Sequence, residues 1–155
     1  MGKIYEYSVL RVNLSSGEIS REKITGEKVK KYLGGRGLGS KILYDEIDAN
    51  VEPLSPENKL IFASGLLSGT SASTGGRYMV ITKGPLTGTI ASSNSGGFFG
   101  AEMRFSGNDI IIFEGKSKNP VYLSIKGDQI ELKNASNLWG KKVNETTDFL
   151  IDKIG

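Results

Sequence analysis

Histidine and cysteine are both missing from this 155-residue sequence. Histidine is the side chain that titrates closest to neutral pH, and cysteine is the source of every thiolate. Their absence excludes a Ser-His-Asp triad, a zinc site of the usual His and Cys donors, and an iron-sulfur cluster ligated by this chain. Any chemistry that the chain serves must come from a cofactor or from another polypeptide segment.

Long apolar runs are missing too. No stretch approaches the roughly 18 residues that mark a membrane span, and Met1-Gly2-Lys3-Ile4-Tyr5-Glu6 lacks the apolar centre of a signal peptide. We therefore expect a cytoplasmic protein with no membrane partner. In that compartment the Asn-x-Ser/Thr triplets at Asn13, Asn134 and Asn144 are chance matches, because glycosylation accompanies secretion. A net charge of +3, with Lys and Arg spread along the chain, is a solvated surface and no footprint for nucleic acid.

Proline is sparse at four residues, whereas glycine reaches 21, nearly twice its average share of about 7%. Glycine without proline points to tight backbone geometry. Apolar residues at 37% and charged residues at 24% describe a folded chain, with enough to bury for one ordinary core.

Periodicity outlines the elements. Leu10, Val12 and Leu14 alternate with polar residues, Ser15-Ser16-Gly17 turns, and Ile19 resumes the alternation, as in a β-hairpin. Val29, Tyr32 and Leu33 share a helical face that Gly34 stops, and Leu38, Ile42, Leu43 and Ile47 form a second stripe. Pro53 and Pro56 then break the chain. Strands are expected at Leu60 to Ser64, Tyr78 to Thr82 and Asp109 to Phe113, with Ile110, Ile111 and Ile112 buried on both faces. Val121, Leu123 and Ile125 turn through Lys126-Gly127-Asp128 into Ile130 and Leu132, a second hairpin. Val143, Thr147, Leu150, Ile151 and Ile154 predict a closing helix with one buried stripe, Asn144 as its N-cap and Gly155 as its stop. The expected fold is α+β: β-sheets from hairpins and meanders with short packed helices. It holds a duplicated hairpin-helix unit whose second repeat is truncated, so residues 1–155 form one domain incomplete at its C-terminal end.

Three glycine-rich segments are candidate ligand loops. Gly34-Gly35-Arg36-Gly37-Leu38-Gly39-Ser40-Lys41 looks like a phosphate loop, but Ser40 stands where the lysine belongs and the loop follows a helix rather than a strand. It reads as a tight turn between helices, with no role assigned to Arg36. Ser68 to Arg77 and Gly84 to Gly100 instead border strands and mix Gly pairs with small hydroxyls, a composition that gathers N–H groups into a concave arc. Arg77 opens a strand, where arginine is commonly a surface residue, yet its forked charge also suits phosphate or a planar polar ring. Asn94-Ser95-Gly96-Gly97 reads as a polar turn running into Phe98-Phe99; it is either an ordinary turn or one that aims carbonyls at a cation or amides at an oxyanion.

Taken in order, Arg11-Val12-Asn13-Leu14-Ser15-Ser16-Gly17, Leu33-Gly34-Gly35-Arg36-Gly37-Leu38, Pro53 to Leu60, Thr74-Gly75-Gly76-Arg77-Tyr78, Gly84-Pro85-Leu86-Thr87-Gly88 and Asn94-Ser95-Gly96-Gly97 resemble the N-terminal domain of tungsten-containing aldehyde ferredoxin oxidoreductases. Asp109 to Lys116 and Leu138-Trp139-Gly140-Lys141 continue the resemblance. It implies an enzyme that oxidises aldehydes to carboxylic acids, with tungsten held by two pterins of the molybdopterin type and electrons leaving through a 4Fe-4S cluster to ferredoxin. This domain would be the base on which the bis-pterin cofactor sits, and the cluster ligands would lie outside the chain. By resemblance, Arg77 lies between pterin and cluster. The backbone carbonyl of Asn94 helps bind a magnesium ion bridging the pterin phosphates, and Ser95 and Gly96 belong to the adjoining pterin-contacting turn. The partners implied are the remaining domains or subunits, ferredoxin and the aldehyde. The alternative is a freestanding, non-catalytic subunit of the same family, or an assembly module that self-associates into a homo-oligomer.

Overall fold

The structure is a computed structural model and describes residues 6–154. They divide into two compact units, one up to Lys116 and one from Ser117 on.

The first unit is built on a six-stranded mixed sheet in the order β2-β1-β6-β3-β4-β5. Its strands are β1 (Glu6–Asn13), β2 (Ile19–Thr25), β3 (Lys59–Ser64), β4 (Tyr78–Lys83), β5 (Ile90–Ser95) and β6 (Ile110–Glu114). The expected first hairpin is β1–β2, with Val12 opposite Ile19. Its turn is closed by the Asn13 carboxamide oxygen, which accepts the N–H groups of Ser15 and Ser16, and by Gly17 at φ +78°. The first strand also pairs in parallel with β6, Leu10 against Ile111, a contact across a hundred residues. Hairpins alone do not make this sheet.

Two helices, α1 (Glu27–Tyr32) and α2 (Gly35–Glu46), cover one face. Tyr7, Val9, Ile61, Ala63, Ile81, Ile110 and Ile112 project from the sheet into a core closed by Val29, Leu38, Ile42 and Leu43. Each such aliphatic side chain, once buried, contributes about 1.5–3 kcal/mol against leaving it in water. Close approach is possible because α2 carries Gly39, where a Cβ would lie 2.6 Å from Ile81 Cδ1. On the opposite face Leu10, Val12 and Ile111 are also buried, so the isoleucine run is enclosed on both sides as expected. There Phe62, Tyr78 and Phe113 form an aromatic cluster with Phe99 of a third helix, α3 (Phe99–Phe105).

Two of these elements were not expected. The segment Gly84 to Gly100 contains β5, an exposed edge strand, followed directly by α3. Asn94 and Ser95 accordingly end a strand, opposite Met79 and Tyr78, and the turn is confined to Gly96 and the two residues after it.

In the second unit, β7 (Val121–Lys126) and β8 (Gln129–Asn134) form the expected hairpin, turning through Gly127 at φ +59°. Helix α4 (Val143–Ile154) follows, so a hairpin is again succeeded by a helix. The expected buried stripe is absent, because α4 contains no buried residue and Val143 and Ile151 are exposed. A 3.6-residue period establishes the helix but not what covers it. Asn144 lies inside α4 and is not its N-cap; Gly155, the expected stop, lies outside the described residues.

Candidate functional site

At one corner of the six-stranded sheet, four chain segments converge. Leu33 to Arg36 at the start of α2, Gly65 to Leu67 after β3, and Thr74, Gly75 and Arg77 before β4 line a cleft of about 430 Å³, with Met79 at its side. The exposed end of β5 adds Asn94, whose side-chain oxygen accepts a hydrogen bond from the Arg77 guanidinium. Arg77 and Asn94, singled out separately in the sequence, are therefore hydrogen-bonded neighbours. Arg77 directly precedes β4, and Asn94 pairs with Met79 two residues further on.

The loop carrying Arg77 is held from beneath. Ser68 is 1% exposed, and its hydroxyl lies 2.8 Å from the Gly75 carbonyl oxygen and 3.0 Å from that of Arg77. Thr74 is forced to φ +62°, a region costly for a non-glycine residue. Gly75 has no room for a side chain, since a Cβ would sit 2.8 Å from the Leu67 carbonyl oxygen. Close backbone approach also joins this loop to the next segment: a Cβ on Gly76 would be 3.3 Å from the Gly97 carbonyl oxygen, and one on Gly100 would be 3.0 Å from that of Gly76. Ser95 and Gly96 lie exposed, and nothing surrounds the Cβ position of Gly96 within 4 Å. Gly96 is thus not required by crowding within the described residues.

Arg36 is the residue that sequence reasoning passed over. The turn between the helices is confined to Leu33 and Gly34, because α1 ends at Tyr32 and α2 begins at Gly35; the rest of the segment read as a turn, up to Lys41, is helical. The first turn of α2 presents Arg36 to the cleft shared with Arg77. Two guanidinium groups and unclosed backbone amides at a helix start make a surface suited to an anionic or planar polar group. Among the described residues no group of three His, Cys, Asp or Glu is placed to hold a metal ion.

The family model described as "Aldehyde ferredoxin oxidoreductase, N-terminal domain" matches residues 9–155. The chain belongs to that family.

Among curated relatives, it is 56% identical over 151 residues to the tungsten-containing aldehyde ferredoxin oxidoreductase of Pyrococcus horikoshii, covering 97% of this chain and 25% of the relative. It is 34% identical over 153 residues to an aliphatic sulfonate oxidoreductase, WOR-like subunit, of Pyrococcus furiosus, covering 97% and 24%. Among solved structures, the active site complex BamBC of benzoyl coenzyme A reductase, with 1,5-dienoyl-CoA, matches at a TM-score of 0.93 and 43% identity, over 97% of this chain and 24% of that one. The chain spans about a quarter of the length of the curated relatives it matches. A second cleft, lined by residues that include Leu43, Tyr44, Ile47 and Lys83, lies at the far end of β4, and there the Lys83 ammonium is taken up by the Ala49 and Val51 carbonyl oxygens at 2.6 Å each.

Proposed function

We propose that this chain is the cofactor-bearing base of a tungsten oxidoreductase that converts aldehydes to carboxylic acids and passes the electrons to ferredoxin. The observation that carries this reading is the Arg77–Asn94 pair at the mouth of a glycine-walled cleft, in a family with relatives named as tungsten-containing aldehyde ferredoxin oxidoreductases. When bound, the tungsten bis-pterin group supplies the two-electron redox chemistry, which this chain lacks any side chain to perform. The chain's own residues bind and orient. Arg77 offers a planar fork of N–H donors to a pterin or its phosphate. Asn94 lies near the end of an edge strand, at a sheet margin where its backbone carbonyl would help hold the magnesium ion of the cofactor. Ser95 and Gly96 continue that contact. The ligands of the 4Fe-4S cluster belong to other segments, since the chain has no cysteine.

Relatives sharing this domain are named for aldehydes, for an aliphatic sulfonate and for glyceraldehyde-3-phosphate. A shared base beneath different substrates is what a cofactor support predicts, with substrate choice made elsewhere.

The test is Arg77→Ala in the intact oxidoreductase. Loss of a charge-assisted hydrogen bond of about 1.5–3 kcal/mol would weaken cofactor retention roughly ten- to a hundredfold. Tungsten per mole of protein, read by plasma mass spectrometry, should fall with no change in the circular dichroism of the fold. Full tungsten content and unchanged turnover would refute the assignment. A second reading, a freestanding subunit that pairs through its sheet margin, draws on the exposed β5 edge; a monodisperse monomer in the ultracentrifuge would exclude it.

A further inference from the structure

Arg104 lies outside the cleft, yet its guanidinium reaches the loop after β3 that forms one wall of it. Its Nη1 donates to the carbonyl oxygens of Leu66 at 2.7 Å and Ser68 at 3.0 Å, both in the loop after β3. Its Nε is 2.9 Å from Asp109 Oδ1. Asp109 is itself fixed to the sheet, because its Oδ2 accepts the Ser8 N–H at 2.9 Å and its backbone N–H donates to the Ser8 carbonyl. The guanidinium therefore bridges a rigid strand junction to an irregular loop. From that loop the Ser68 hydroxyl reaches the carbonyl oxygens of Gly75 and Arg77.

The same helix also bears on the other half of the site. The α3 helix begins two residues after Gly97, and its Gly100 packs closely on the Gly76 carbonyl oxygen, which would lie 3.0 Å from an added Cβ. One end of the helix is thus continuous with Asn94 to Gly97, while Arg104 at the other end grips the loop beneath Arg77.

We propose that Arg104, anchored by Asp109, is a positioning residue that sets the placement of Arg77 relative to Asn94 and so the affinity of the cleft for its cofactor. The proposal rests on the cofactor reading given above. A lysine keeps the charge but offers its donors from a single nitrogen, whereas Asp109 and the two carbonyls are held here from two separate atoms, Nε and Nη1, of a rigid planar group.

The experiment uses Arg104→Lys, with Asp109→Asn as a second, milder break in the same link. Amide hydrogen exchange on the chain reads the loop without any cofactor. The Ser68 and Thr70 amides, which are bonded to the Gly65 and Leu67 carbonyls, should exchange about tenfold faster or more, while those of β1, β3 and β6 keep their protection. In the intact oxidoreductase the same variants should retain several-fold less tungsten, and the electron paramagnetic resonance signature of the remaining tungsten should shift, which a purely structural role would not cause. Unchanged exchange at Ser68 and Thr70, exchange that rises equally throughout the sheet, or a faster loop with full tungsten and an unshifted signature would each overturn the proposal. Wild-type oxidoreductase without tungsten would instead overturn the cofactor reading, and the exchange measurement would still judge the clamp.

Discussion

Replacing Tyr7 by phenylalanine should stabilise the protein, and the reason is local. Tyr7 is 2% exposed, and its hydroxyl has no hydrogen-bond partner among the described residues. A buried hydroxyl left unpaired costs about 1–3 kcal/mol, so its removal should gain on the order of 1 kcal/mol once the small void is allowed for. For a chain of this size that corresponds to roughly 2–4 °C in Tm. The oxygen also presses on the cleft wall, since a Cβ on Gly34 would lie 2.3 Å from it and 3.1 Å from the ring carbon bearing it. Gly34→Ala should accordingly cost about 1–3 kcal/mol in the wild-type background and much less in the Tyr7→Phe background, where the nearest ring atom is barely too close. Urea denaturation of the four proteins in this double-mutant cycle measures the coupling. Burial raises the Tyr7 hydroxyl from 10.0 to about 12, with Arg104 lowering it and Asp109 raising it by smaller amounts. Its neutral form is favoured in the fold, so this stability is complete below pH 10 and is lost as pH rises towards 12. The Tyr7→Phe variant should lack that alkaline loss. Additive effects within about 0.5 kcal/mol, or a destabilised Tyr7→Phe protein, would refute the reasoning.

A second pH dependence lies at the other end of the core. Burial would raise the Glu46 carboxyl, but Arg11, bonded to both of its oxygens, and Lys59 outweigh burial and hold it below 4.5. Its contribution is present above pH 4.5 and fades as pH falls through the lower folded value; Glu46→Gln should cost about 1–3 kcal/mol at neutral pH and flatten that acid limb in thermal scans. Gly37→Ala would put a Cβ 2.5 Å from the Tyr32 backbone carbonyl oxygen. That clash at the turn between α1 and α2 should destabilise by about 1–3 kcal/mol in urea, and a neutral result would mean that the turn adjusts freely.

Alternation, apolar runs and helical period made most elements visible in the sequence: both hairpins, β3, β4, α1, α2 and α4, and β6 through its run of three isoleucines. The exceptions have physical causes. The β5 strand, Ile-Ala-Ser-Ser-Asn-Ser, is an exposed edge that pairs only with β4, so no buried face demands an apolar alternation. Only seven residues long, α3 opens on Phe99-Gly100, and two turns are too few to show a period. The parallel pairing of β1 with β6 depends on residues a hundred positions apart, which no local pattern encodes. At the site, Arg77 and Asn94 could be picked out by residue type and resemblance, and the fold brings them into contact. Arg36 could not, because its role depends on which loop faces it rather than on its own neighbours. Arg104 was equally silent, a helical arginine whose meaning lies in the two carbonyls that it holds.

The most direct test of the account is diffraction from crystals of the intact oxidoreductase at the tungsten absorption edge. The account predicts tungsten-bearing pterin density seated on the cleft between Gly34 to Arg36 and Thr74 to Arg77, with the Arg77 guanidinium within hydrogen-bonding reach. Tungsten density whose pterins touch neither Arg77 nor the Asn94 to Gly96 segment would contradict it.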